Sequence, residues 1–235
     1  MKKALSLILA LVMCLSLCAC SGGSNDNSNN ADAPETTMSK EDMLKSAETV
    51  YCDQIRRNTS ENKAKATQLY CNKVLEVTGF VVSIEEDHIK LGSDFYAGAT
   101  VIDVYLPIED LAMLVTKQLV TIVGKTTDKI ETRNQNMAGA DWEQEYYTMT
   151  QAYLVESTFE ATITLTVNEF GSGTIKAEAN NCGNFDLTPF AVPDDIKTTD
   201  YPRDCVTVLT VKGTIVYGYN NYYIQDYEIT NTETN

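Results

Sequence analysis

VLEVTGFVVSI, residues 74–84, is the stretch that decides the fold. Before Lys73, apolar residues recur at spacings of three and four. From Val74 the period drops to two, with Leu75, Val77 and Gly79 alternating against Val74, Glu76 and Thr78. This is the signature of a strand with one face against a core. Phe80–Ile84 continues the run, Glu85-Glu86-Asp87 reads as a turn, and His88-Ile89-Lys90-Leu91 leads back. Gly79 in mid-strand marks a bulge or sharp bend, which a small closed barrel needs in order to coil.

Downstream, Thr100–Leu106 predicts a third strand, stopped by Pro107. Residues 108–115 predict a short helix or turn, Leu119–Gly124 a fourth strand and Tyr146–Val155 a fifth. A long polar stretch, Glu131–Trp142, separates the last two. The second half repeats the plan, with strands predicted at 160–168, 173–179 and 184–190. A Pro- and Asp-rich connection, Ala191–Arg203, leads to a final hairpin pairing 205–219 with 222–230. Val208–Gly213 parallels Val74–Gly79 in residue type. Two five-strand units, each with a short helix or loop before its fourth strand, match the count of an OB barrel. The predicted fold is mainly β with an N-terminal helical segment, arranged as two tandem OB-like five-stranded barrels over residues 39–157 and 158–235. The alternative is one larger sandwich built from both halves.

Upstream, Ser39 with Asp42 three residues on reads as a capping-box variant. Met43, Leu44, Ala47, Val50, Tyr51 and Ile55 then predict an amphipathic helix over 40–57. Asn58-Thr59-Ser60 breaks it, and a shorter helix is expected over Glu61–Tyr70. Residues 20–38 are Ser, Asn, Asp and Gly with no aromatic residue, a tether whose typical reach is roughly 25 Å. Residues 1–19 read as a signal peptide: Lys2 and Lys3, an apolar run from Ala4 to Leu17, and a small residue before the cut. The run is too short to span a bilayer, which takes about 20 apolar residues. Leu17, Ala19 and Cys20 resemble the bacterial lipoprotein cleavage box. Its implication is lipid attachment at Cys20, an extracytoplasmic location and membrane association through the lipid.

The chain carries a net charge of −15, and residues 39–157 and 158–235 each contribute −7. Neither half has the basic footprint of a nucleic-acid binder, and anionic lipid headgroups repel both. Besides Cys20, the part after the signal holds Cys52, Cys71, Cys182 and Cys205. Four cysteines in an exported chain allow three disulfide connectivities. The local scheme, Cys52–Cys71 with Cys182–Cys205, closes loops worth about 3 kcal/mol each. A tight helical hairpin strains the first pair by about 7 Å along the axis, and buried free thiols are the alternative.

Asn62, Ala64, Ala66, Tyr70, Lys73 and the run Val74–Gly79 resemble the opening of a tRNA-anticodon-like OB-fold domain. The resemblance covers residues 45–155. It implies an OB barrel, many of whose relatives are membrane-tethered, and a nucleic-acid-binding module as one function. OB barrels also bind oligosaccharides and proteins, so the ligand stays open.

Catalytic constellations are missing. There is one histidine, His88, and no Cys-x-x-Cys pair, so zinc chemistry has no ligand set. Gly124-Lys125-Thr126 lacks the leading glycine of a phosphate loop. Asp141, Glu143 and Glu145 share one strand face, where a solvated row is the ordinary role. No metal or cofactor is implied, and the expected role is binding rather than catalysis. Tyrosine is the remaining candidate, because Tyr217, Tyr219, Tyr222, Tyr223 and Tyr227 crowd the last hairpin. With Asn220-Asn221 as the turn, Tyr219 faces Tyr222 and Tyr217 faces Ile224 on one surface. Tyr217, Tyr219 and Tyr222 are therefore the candidate ligand platform, for a neutral glycan, a peptide or a cell-envelope protein. The other role for that face is packing.

Overall fold

The computed structural model describes residues 37–93, 100–137, 140–180, 182, 185 and 187–235. The predicted signal peptide, Cys20 and nearly all of the predicted tether lie outside the described residues, while Thr37–Asn235 forms one compact unit. Ser39 caps helix α1 (Lys40–Ser46), its side chain accepting from the Asp42 N–H at 3.2 Å. The chain then turns extended, and β1 (Glu48–Tyr51) lies parallel to β2 (Val74–Ile84) with Val50 opposite Val77. The single helix expected over 40–57 is thus corrected to helix, strand, helix. Thr49, Val50 and Tyr51 favour extended backbone, and the edge of β2 beside Leu75–Thr78 offers them a ladder. Helices α2 (Cys52–Glu61) and α3 (Lys63–Tyr70) follow, broken at Asn62 rather than at Asn58–Ser60. Asn62 caps α3 through its side chain, which accepts from the Lys65 N–H at 3.0 Å.

The first barrel uses β2, β3 (Ile89–Gly92), β4 (Val101–Val104), β5 (Leu119–Thr126) and β7 (Ala140–Glu156). Its strand order is β2-β3-β4-β7-β5, and β5 pairs back onto β2 to close the ring. β4 and β7 run parallel, and the neighbouring ladders are antiparallel. A short helix, α4 (Ile108–Leu111), precedes β5. Inside lie Leu75, Val77, Leu91, Ile102, Ile122 and Met149, sealed at one end by Ile55 and Tyr70. The polar stretch at 131–142, read from the sequence as a separator between two strands, is a hairpin arm. β6 (Glu131–Met137) pairs with the first half of β7. The half-buried positions of β6 are Glu131, Arg133 and Gln135, so no apolar alternation marks it as strand.

A second, separate sheet begins after Glu156. It contains β8 (Phe159–Val167), β9 (Gly173–Ala179), β10 (Phe190–Ala191), β11 (Cys205–Gly218) and β12 (Asn221–Thr234), in the order β10-β12-β11-β8-β9. β10 runs parallel to β12, as β4 does to β7. The order and directions are those of the first barrel, except that the β3–β4 ladder has no counterpart between β9 and β10. Of the strand expected at 184–190, residues 184 and 186 lie outside the described residues, and among the others only Phe190 is strand, in β10 with Ala191; Pro189 before it has no N–H to donate. The apparent repeat is also displaced. Val208–Gly213 lies in β11, a fourth strand, and so corresponds in position to Leu119–Gly124 and not to Val74–Gly79. Gly124 and Gly213 share a duty there. A methyl group on either would come within 2.8 Å or 2.7 Å of the adjoining fifth strand, at Gln151 O and Tyr227 Cβ respectively.

The barrels are fused by apolar contact. Phe80 and Leu119, paired neighbours on the outer face of the first, are buried in the core of the second with Ile163, Leu209 and Ile215. Phe185 packs edge-on against both Phe80 and Tyr51. Polar contacts fix the register, with Tyr217 N–H donating to Lys117 O at 3.1 Å and Gln118 Nε2 to Ser157 O at 3.1 Å.

Candidate functional site

β12 is paired along one edge by β11, whereas β10 covers its other edge only at Tyr222 and Tyr223. Beyond that point the chain leaves as Val192-Pro193-Asp194-Asp195 and stands off from β12. The space between is a groove of about 400 Å³ walled by Asp194, Asp195, Tyr219, Tyr223, Asp226 and Tyr227, a size that suits a small ligand. The bulge opposite Gly213 shapes its far end. Asp226 takes a positive φ of 49°, and two residues, Asp226 and Tyr227, oppose one glycine. This turns Tyr227 inward, where it packs on the second core and its hydroxyl donates to Asp195 Oδ1 at 2.7 Å. Burial first, then the Asp195 carboxylate, push the Tyr227 phenol well above its ordinary range. Tyr227 therefore stays a neutral donor and pins the groove's opposite wall.

The hairpin tip forms the mouth. Its two central residues are Tyr219 and Asn220, with φ of 51° and 65°, flanked by the Gly218–Asn221 pair. The turn is one residue earlier than the Asn220-Asn221 turn expected from the sequence, so every cross-strand pair shifts. Tyr217 faces Tyr222, their rings 5.0 Å apart, and Ile215 faces Ile224. Tyr222 also lies 5.7 Å from Phe80. Tyr217 and Tyr222 consequently pack at the junction of the barrels, and the predicted three-tyrosine platform is not formed. Tyr219 alone of those three stands in solvent, 96% exposed. Tyr223, on the opposite face of β12 from Ile224, takes the position beside it; the bulge and turn that place Tyr223 and Tyr227 leave no sequence signal beyond Asn220-Asn221 itself.

What the groove offers a ligand is an exposed aromatic edge together with acceptors and amides: Asp194, Asp226, Asn221 and Gln225. Tyrosine faces bind the C–H faces of sugars or flat groups, and carboxylates and amides take hydroxyl hydrogens. The cysteines play no part here. Cys52, Cys71, Cys182 and Cys205 are free thiols, so neither predicted pairing is formed. Cys52 sits against Gly79, where a methyl group would come within 2.4 Å of its sulfur, and Cys182 donates to Asn180 O at 3.2 Å. Burial pushes the Cys182 thiol up to about 12 and the Cys52 thiol higher still.

Elsewhere, the arm carries a charged cluster. Arg133 binds the buried Asp103 at 2.7 Å and Glu131 at 3.1 Å, with its guanidinium 4.1 Å from the Tyr146 ring centre. Glu145 pairs with Lys63 at 2.7 Å, and His88 stacks on Tyr105 at 5.0 Å. Among the described residues no group of three His, Cys, Asp or Glu side chains is placed to hold a metal ion.

Compared with known proteins, residues 1–135 match the tRNA_anti-like family model, which takes in the first barrel as far as its arm. No curated protein and no solved structure matches the chain.

Proposed function

The chain belongs to the tRNA_anti-like family, and from that barrel scaffold and the groove of its second sheet we propose an extracytoplasmic binding protein, lipid-anchored through Cys20, that takes a neutral glycan. The observation that carries this is Tyr219. A bulky side chain in the left-handed region costs about 1 kcal/mol relative to Asn or Gly, and here it is spent on a ring standing almost wholly in water at the mouth of a groove. Packing does not account for it. The carboxylates and amides behind it suit sugar hydroxyls. They oppose a phosphate backbone, because the groove walls hold Asp194, Asp195 and Asp226 and no basic residue. The role proposed is binding rather than catalysis: the hydroxyl–carboxylate pair of the groove, Tyr227 with Asp195, is a neutral phenol holding the wall.

The test uses the chain with Cys20→Ser, which keeps it in solution. Soluble cell-wall glycan fragments, short neutral peptides and oligo-dT are titrated while tyrosine fluorescence is followed. Saturable glycan binding that Tyr219→Ala and Tyr223→Ala both weaken supports the reading. Peptide binding with the same residue dependence moves the ligand class to peptide. Tight oligo-dT binding at about 150 mM salt overturns the proposal in favour of a nucleic-acid module.

A further inference from the structure

The second face of interest lies on the first barrel, around α4. Leu111 and Leu114 point into the core, 6% exposed each, and hold the segment down. The residues between and around them point the other way: Ile108 is 69% exposed, Met113 62% and Val115 46%. Nothing in the fold asks for apolar side chains at these positions, and polar ones would cap the turn equally well. The location supplies the reason. Asp110, in the same turn, accepts from the Leu154 N–H at 3.2 Å. Leu154 O in turn accepts from Lys40 Nζ at 2.6 Å, and Tyr153 donates to Met38 O at 3.3 Å. The chain that arrives from Cys20 therefore enters the folded unit at the tip of Tyr153, the residue of β7 next to the Leu154 that Asp110 holds beside this apolar knob.

We propose that Ile108, Met113 and Val115 seat the protein on the bilayer that carries its lipid. This rests on anchoring at Cys20. A tether of the composition of residues 21–37 reaches roughly 25 Å, so its attachment point and the knob meet the same membrane surface. The net charge of −15 excludes attraction to anionic headgroups, which leaves shallow insertion of apolar side chains as the docking force. Each methylene placed in the acyl region raises partitioning about fourfold. Docking fixes the orientation. β12 begins at this end of the molecule, since its Tyr222 pairs with Tyr217 of β11, whose N–H donates to Lys117 O, and it continues to Thr234, so its far end stands clear of the surface.

The experiment uses the naturally acylated full chain in phosphatidylcholine vesicles that contain a lipid with a quencher in its acyl chain. An environment-sensitive fluorophore is attached at Met113→Cys, in a Cys205→Ser background that removes the partly exposed native thiol. A second preparation carries it at Thr232→Cys, about 30 Å along β12. The expected result is quenching and a blue shift at position 113 and neither at 232, with Ile108→Ser plus Val115→Ser abolishing the quenching. The proposal is overturned if 113 is quenched no more than 232 while the protein floats with the vesicles; the knob then serves a protein partner, and the anchor stands. Failure to float removes the anchor and the proposal together.

Discussion

Tyr219 illustrates how one residue trades local stability for a surface. The two-residue turn it occupies accepts Asn or Gly without strain, so Tyr219→Asn is expected to raise stability by about 0.5–1 kcal/mol, read as a higher urea midpoint at unchanged slope. The same variant is expected to lose glycan binding. A loss of both would mean the ring packs in the folded state. Thiol behaviour is the second test at this scale. Burial disfavours the thiolates of Cys52 and Cys182, whereas Cys205 is partly exposed. Brief alkylation of the native protein at neutral pH should label Cys205 and leave Cys52 and Cys182 unmodified, as mass mapping would record. Early labelling of Cys52 would mean that α2 does not hold it against Gly79.

Among the elements, the β6–β7 arm is the one whose attachment depends on few groups. Asp103 has a side chain only 5% exposed, and Arg133 is its charged partner at 2.7 Å. Removing the guanidinium leaves a carboxylate in a poorly solvated site. Because Arg133 itself is 38% exposed, water moderates the penalty, and Arg133→Ala is expected to cost about 2 kcal/mol. Hydrogen exchange should rise first across residues 131–137. Asp103→Asn, which keeps the shape and removes the charge, should cost less. An unchanged exchange pattern in Arg133→Ala would show that the backbone ladder with β7 holds the arm unaided.

For the whole molecule, the perturbed groups point to alkaline sensitivity. Desolvation raises the thiols of Cys52 and Cys182 and the phenol of Tyr147 above their ordinary values of 9.0 and 10.0. Groups raised in the folded state contribute stability that is complete below the unfolded value and is lost as pH climbs past it. Stability should therefore be flat from neutral pH to about 9 and fall progressively above that, a trend visible in melting temperature against pH. On the acid side Glu85 and Glu131 are lowered by hydrogen bonds from Ser83 and Arg133 respectively, but both are solvated, so their loss on acidification is small. Cooperative unfolding is the other expectation at this scale, since Phe80 and Leu119 belong to one barrel's ladder and the other's core.

Period and punctuation alone determined β2 to β5, β8, β9 and β11, because a period of two ending at Pro107, or at a glycine, is a local property of those stretches. The five-strand count, the short helix before β5 and the cap at Ser39 were legible for the same reason. Tertiary structure decided whatever depended on a distant partner. β1 exists because an edge of β2 lies beside it, and the polar arm is a strand because β7 pairs with it, although neither has an apolar alternation. Hairpin register was settled by a turn that accepts positive φ at Tyr219 and by a bulge at Asp226: moving the turn back one residue slides the pairing by two, so Tyr217, Tyr222 and Ile224 still share a face while Tyr219 leaves the ladder for the turn. That shift is why Tyr217 packs edge-on against Tyr222, which packs against Phe80, while Tyr219 stands at the mouth of the groove.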